Sequence, residues 1–179
     1  MIPPGNAIVI DLALTPITGQ TLFRLALWDD AVRTRIGAGL GAPLPGPCRA
    51  VDIAGQRLLW LESAHWLIAC PTTDADAVRN RVERLAGADG SLVEVGAALA
   101  GRRITGNGWR ELLMIGGVFD AEDPGFGPGA VARTIMHHSS LLIDVVTADR
   151  VHAYVPASYA YEFFGFWDAE IAARTAEQF

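Results

Sequence analysis

Residues 58–85 read LLWLESAHWLIACPTTDADAVRNRVERL, and this stretch decides the fold class. Arg57 to Glu62 and Trp66 to Cys70 are apolar, aromatic runs too short for helices, and Pro71 bounds the second. Such runs between turn signals are strands. Thr72 or Thr73 then stands where a helix N-cap belongs. Ala77, Val78, Val82 and Leu85 supply the spacings of three and four that give a helix through Leu85 one apolar face. The order is strand, short turn, strand, proline, helix. Residues 142–171 repeat it, with Val155-Pro156 in the place of Cys70-Pro71. Hairpin-length turns between strands, each pair followed by a helix, point to α+β architecture. Antiparallel or mixed sheets with helices packed on one side are expected, not a doubly wound parallel sheet.

Working outward, residues 1–47 read as an N-terminal arm and loop. Ala7 to Leu12 suits an edge strand, and residues 21–35 read either as a strand and turn or as a short helix. Residues 37–47, GAGLGAPLPGP, are a Gly/Pro-rich loop. Residues 48–90 form a small strand–strand–helix unit opened by a strand at Arg49 to Ile53 and a turn at Ala54-Gly55-Gln56. Residues 91–179 form a second α+β unit, and the two units are compatible with one body. In the second, Leu92 to Val95 and Arg102 to Thr105 are expected strands, and Trp109 to Met114 a short helix. Residues 116–128 are a loop; Val131 to His137, Leu141 to Val146 and Val151 to Val155 are strands, with Ser139-Ser140 as a turn. Tyr159 to Ala173 closes the chain as a helix.

Composition excludes several chemistries. The 179 residues carry 14 arginines and no lysine. That removes Schiff-base catalysis and the phosphate-binding P-loop, both of which need a lysine amine. A net charge of −6 argues against a nucleic-acid partner. No apolar run approaches the roughly 20 residues of a membrane span, and the start has no basic segment of a leader peptide. A cytoplasmic protein with Cys48 and Cys70 as buried free thiols is the expectation, although the spacing alone leaves a disulfide open. Only 19% of residues are charged, below the roughly 25% of ordinary globular chains, which hints at apolar surface reserved for a partner.

The inventory of reactive groups is thin. His65, His137, His138 and His152 show no metal-ligand spacing, and the adjacent pair is expected to point to opposite faces of a strand. Neither cysteine sits in a nucleophile motif, and Gly106-Asn107-Gly108 is an ordinary turn into a helix. No catalytic residue and no metal ligand is therefore nominated. Asp144 is the exception worth following, because it interrupts an apolar strand and an inward carboxylate is costly to bury. The closing segment holds six aromatics in residues 159–167. A stripe of Tyr159, Phe163 and Phe166 or Trp167 can cover a sheet, leaving Tyr161 and Phe164 for a second surface. Trp60, Trp66, Tyr161, Phe164 and Trp167 are the interface candidates.

These pieces, in order, resemble the gamma subunit of heterotetrameric sarcosine oxidase. Residues 58–68, LLWLESAHWLI, resemble that family's Leu-Trp-Leu-Gly-Pro-Asp-Glu-Trp-Leu-Leu segment. Arg35-Ile36-Gly37 and Leu44-Pro45-Gly46-Pro47 resemble its Arg-x-Gly and Leu-Pro stretches, and Val93-Glu94-Val95 its Val-Asp-Val-Ser run. Arg103-Ile104-Thr105-Gly106 stands where it has Leu-Ser-Gly-Pro, and residues 129–135, GAVARTI, resemble its Gly-x-Cys-Ala-Gln-Thr-Leu strand. The likeness spans residues 33–173, and residues 58–68 are its distinctive part.

The resemblance implies half of a folate-binding aminomethyltransferase fold plus a small ferredoxin-like α+β unit. It implies a non-catalytic chain among alpha, beta and delta subunits. Their complex demethylates sarcosine or a related N-methyl amino acid oxidatively, using FAD, FMN, NAD and tetrahydrofolate held by the other chains. The alternative is an autonomous folate-binding or aminomethyltransferase-like protein, with Asp144 as its cofactor-binding candidate. Two departures narrow the choice. The stretch that matches the aminomethyltransferase Leu-Asp-Asp motif is Ser139-Ser140-Leu141-Leu142-Ile143-Asp144, with one carboxylate of the pair gone. The Lys-Gly-Cys-x-x-Gly-Gln motif of the iron–sulfur maturation relatives has neither its lysine nor its cysteine.

Overall fold

A computed structural model describes residues 12–115 and 119–176. The strands are β1 (Leu12–Pro16), β2 (Gln20–Leu27), β3 (Ala50–Ile53), β4 (Gln56–Glu62), β5 (His65–Pro71), β6 (Gly90–Glu94), β7 (Leu99–Gly106), β8 (Val131–Met136), β9 (Ser139–Thr147) and β10 (Arg150–Pro156). The α-helices are α1 (Asp30–Leu40), α2 (Ala75–Ala86), α3 (Trp109–Met114) and α4 (Ala160–Ala176). One sheet has the order β1-β7-β10-β9-β8 and the other β3-β4-β5-β2-β6. Every pairing in both is antiparallel. The protein is α+β.

The two faces of each strand have different destinations. On the second sheet, Phe23, Leu25, Leu58, Trp66 and Ile68 pack against Val32 and Ile36 of α1 and Val78 and Val82 of α2. On the first, Ile104, Leu141, Ile143, Val151 and Ala153 pack against Leu112 and Leu113 of α3 and Phe163, Phe164 and Trp167 of α4. The opposite faces meet each other, with Leu22, Leu59, Leu67 and Ala69 against Val131, Leu142 and Tyr154. The layers therefore run helix, sheet, sheet, helix. Double burial explains why β5 and β9 read as nearly continuous apolar runs instead of alternating ones.

The internal echo is structural. Pro71 and Pro156 end β5 and β10 with matching backbone angles (φ −54°, ψ 139° and φ −56°, ψ 134°). Each leads through one 3-10 turn, Thr72–Asp74 or Ala157–Tyr159, into a helix. Proline suits this junction because its fixed φ fits a helix entry and its missing N–H ends the ladder.

Several expectations are corrected. Residues 12–47 are not an arm: β1 pairs with β7 in one sheet, and β2 lies between β5 and β6 in the other. The apolar run of β2 needs neighbours on both edges and both faces, which no arm provides. The divisions at 47 and 90 likewise cut across sheet membership, since β6 joins the second sheet. Residues 21–35 hold both a strand and the start of a helix. That helix, α1, continues through Leu40 into the expected loop. Its glycines allow close approach: a Cβ on Gly39 would lie 2.5 Å from Leu85 Cδ1 of α2. Gly41, at φ 101°, ends the helix in the left-handed region.

Neither Thr72 nor Thr73 caps α2 through its side chain. Ser139 and Ser140 belong to β9, and the turn before them is His137-His138, at φ 47° and 64°. Met136 pairs with Ser139, so this is a two-residue hairpin of the type that needs positive φ at both positions. The histidines thus form a turn and not opposite faces of a strand. Of the edge strand expected at Ala7 to Leu12, only Leu12 lies within the described residues. Trp109–Met114 is helical as expected.

Candidate functional site

Strand alternation puts a row of charged and polar side chains on the faces that look into the seam between the sheets. Arg57 shares its face of β4 with Leu59, Asp144 its face of β9 with Leu142, and His152 its face of β10 with Tyr154. Arg57 reaches across the seam. Its Nε donates to Asp144 Oδ2 at 2.7 Å and its Nη2 to Asp144 Oδ1 at 2.6 Å, a two-pronged fit. Nη2 also donates to the Val145 carbonyl at 3.2 Å, and Nη1 to Asp52 Oδ2 at 2.8 Å. Asp52 is Arg57's cross-strand neighbour on β3.

Asp144 is 1% exposed. Burial pushes its carboxyl above the ordinary range, and Arg57 opposes that shift by hydrogen bond and charge. Burial also works against the Arg57 charge, but Asp144 and Asp52 outweigh it and raise that pKa. Both Asp144 oxygens thus accept from the same guanidinium. The pair ties the two sheets together across the seam.

His152 lies beside this pair, opposite Asp144 on β9 and Arg103 on β7. Its Nε2 is buried with no partner among the described residues. Burial, then repulsion from Arg103, Arg150 and Arg57, lowers its pKa to about 4, so the ring is neutral at pH 7. Cys70 is buried and free, its thiol pushed up first by burial and then by Asp74 and Glu94. Cys48 is free but exposed, which corrects the expectation of two buried thiols.

The interface candidates divide by burial. Trp66 lies in the core, its indole N–H donating to the Pro45 carbonyl at 2.9 Å. Phe164 and Trp167 are buried beside Phe163, with ring centroids 5.9 Å apart from each other. Trp60 is half-buried and lines a groove with Trp28, Pro47 and Ser63. Tyr161 is 96% exposed and Tyr159 53%. Trp28, 64% exposed, escaped the sequence reading. Its signal was available, since Trp28 directly precedes the polar pair Asp29-Asp30 at the end of an apolar strand.

Sequence reading also missed Arg57, Arg24 and Arg133. Arg24 and Arg133 are the lone charges in β2 and β8, as Asp144 is in β9, and the same rule that singled out Asp144 finds them.

The class this fold defines is the double α+β sandwich of the aminomethyltransferases. It superposes on aminomethyltransferase T of the glycine cleavage system from Bartonella henselae with a TM-score of 0.66 and 15% identity, covering 88% of this chain and 45% of that one. It also superposes on a chain of the heterotetrameric sarcosine oxidase from Corynebacterium sp. U-96 with a TM-score of 0.77 and 19% identity, covering 87% and 80% of the two chains. The model of the sarcosine oxidase, gamma subunit family matches residues 25–174. The chain belongs to that family and is a subunit of the sarcosine oxidase type. No curated protein sequence matches it.

Proposed function

We propose that this chain is the non-catalytic gamma-type subunit of a heterotetrameric complex that oxidatively demethylates sarcosine or a related N-methyl amino acid. Its partners are alpha-, beta- and delta-type chains, which hold FAD, FMN, NAD and tetrahydrofolate and pass the one-carbon unit to folate. The complex works in the cytoplasm. The family match over residues 25–174 carries this reading. The occupied state of Asp144 supports the non-catalytic part, because the sole nominated carboxylate is committed to Arg57. Exposed Tyr161, with Trp60 in its groove, is offered as contact surface for the larger chains.

Affinity capture of the tagged chain, expressed with its native neighbours, tests the proposal. The expected result is a stoichiometric assembly with yellow flavin absorbance that oxidises sarcosine or another N-methyl amino acid. A chain that stays alone and binds tetrahydrofolate by calorimetry would overturn it.

A further inference from the structure

The seam between the sheets is closed at the Arg57–Asp144 end and open at the other. Leu22 and Val131 are buried in the seam, and strand alternation puts Arg24 and Arg133 on the same inward faces, two residues further along β2 and β8. At the positions where the apolar lining would continue, each sheet presents a guanidinium instead. The two rungs are register neighbours of the floor: Arg24 lies opposite Leu67, and Arg133 opposite Leu142, which in turn lies opposite Tyr154. These residues line one cleft of about 450 Å³ together with Leu99 and Pro156. That volume falls in the range of small-molecule sites.

The charges in the cleft do not cancel. Arg24 donates to Glu62 Oε1 at 3.1 Å, which satisfies one cation. Arg133 has no hydrogen-bond or ion-pair partner among the described residues. The cleft therefore carries one uncompensated positive charge, in a chain whose net charge is −6. Its floor is apolar: Leu67 and Tyr154 are almost wholly buried, and the Tyr154 hydroxyl is turned to Gln20 Oε1 at 3.0 Å. A rung of apolar side chains beneath a fork-shaped cation is complementary to a carboxylate attached to an apolar body.

We propose that this inter-sheet cleft binds a small monocarboxylate with an aliphatic or aromatic body. Arg133 clamps the carboxylate, Arg24 assists it in competition with Glu62, and Leu67, Leu142 and Tyr154 hold the apolar part. The site stands apart from the assembly reading and from the Asp144 pair, and its test uses the full chain with or without partners.

Calorimetric titration with hydrocinnamate and its neutral analogue hydrocinnamamide, in carboxylate-free buffer, decides the matter. The acid binds saturably at one site, and the amide binds about ten-fold more weakly or worse, as a lost charge-assisted pair requires. Arg133→Gln lowers the affinity for the acid by about ten-fold and leaves the amide unchanged. Glu62→Gln acts in the opposite direction and tightens the acid several-fold, because it frees Arg24. Both positions are exposed at the surface, and thermal unfolding of each variant verifies its fold. Equal binding of acid and amide, no saturable binding of the acid, or an acid affinity indifferent to both variants would overturn the proposal.

Discussion

Arg57 and Asp144 are 87 residues apart in the chain, lie on different sheets, and meet through two hydrogen bonds of 2.7 and 2.6 Å. The pair ties the two sheets together across the seam. Removing one partner strands the other. Arg57→Met leaves the Asp144 carboxylate buried without a counter-charge and is expected to cost about 3–5 kcal/mol. The double variant Arg57→Met/Asp144→Leu is expected to recover most of that loss, since it removes the buried charge as well as its partner. Urea unfolding of the single and double variants measures both. A double variant as unstable as the single would show that the seam depends on the ion pair itself.

His152 gives the stability a pH dependence of known sign. The unfolded chain takes up its proton near pH 6.5, whereas the folded chain resists until about pH 4. Between those values the unfolded state binds more protons, so stability falls as pH falls through that window. The partly open setting of the ring holds the effect to about 2 kcal/mol or less. His152→Phe is expected to flatten this part of the curve. Thermal midpoints of both proteins across pH 4 to 7 provide the comparison, in which the carboxylate titrations cancel.

The aromatics of α4 separate structural from contact roles. Trp167 is 0% exposed and packs edge-on to Phe163 at 4.9 Å. Trp167→Ala is expected to lose about 3–5 kcal/mol. Tyr161→Ala should change stability by no more than about 0.5 kcal/mol, yet weaken capture of the partner chains. Unfolding curves and pull-down yields for the two variants should therefore rank them in opposite order.

The His137-His138 turn holds two side chains in the left-handed region, where glycine is at ease. His138→Gly is expected to stabilise the β8–β9 hairpin by about 0.5–1 kcal/mol. His137→Gly gains less, because its ring lies against Phe166 with centroids 4.1 Å apart. Differential scanning calorimetry resolves the order of the two variants.

The sequence by itself determined the α+β class, the repeated strand–strand–proline–helix order, and the family. Those signals are local: a Pro71 or Pro156 that ends a ladder, a run such as Leu58 to Leu61 that suits a doubly buried strand, and the residues that carry the resemblance. What lay beyond it was membership and meeting. Assigning residues 1–47 to an arm and loop fails at β1 and β2 because a strand's partners are chosen by long-range pairing, and nothing within residues 12–27 names β7 or β5. Asp144 stood out as an isolated charge, but whether it was catalytic, solvated or tied depended on Arg57, which a different sheet delivers. Trp66, Phe164 and Trp167 looked like contact residues because aromatic content is visible in sequence and burial is not. Only the packing of two sheets face to face decided which side chains closed the seam, and which two arginines left it open.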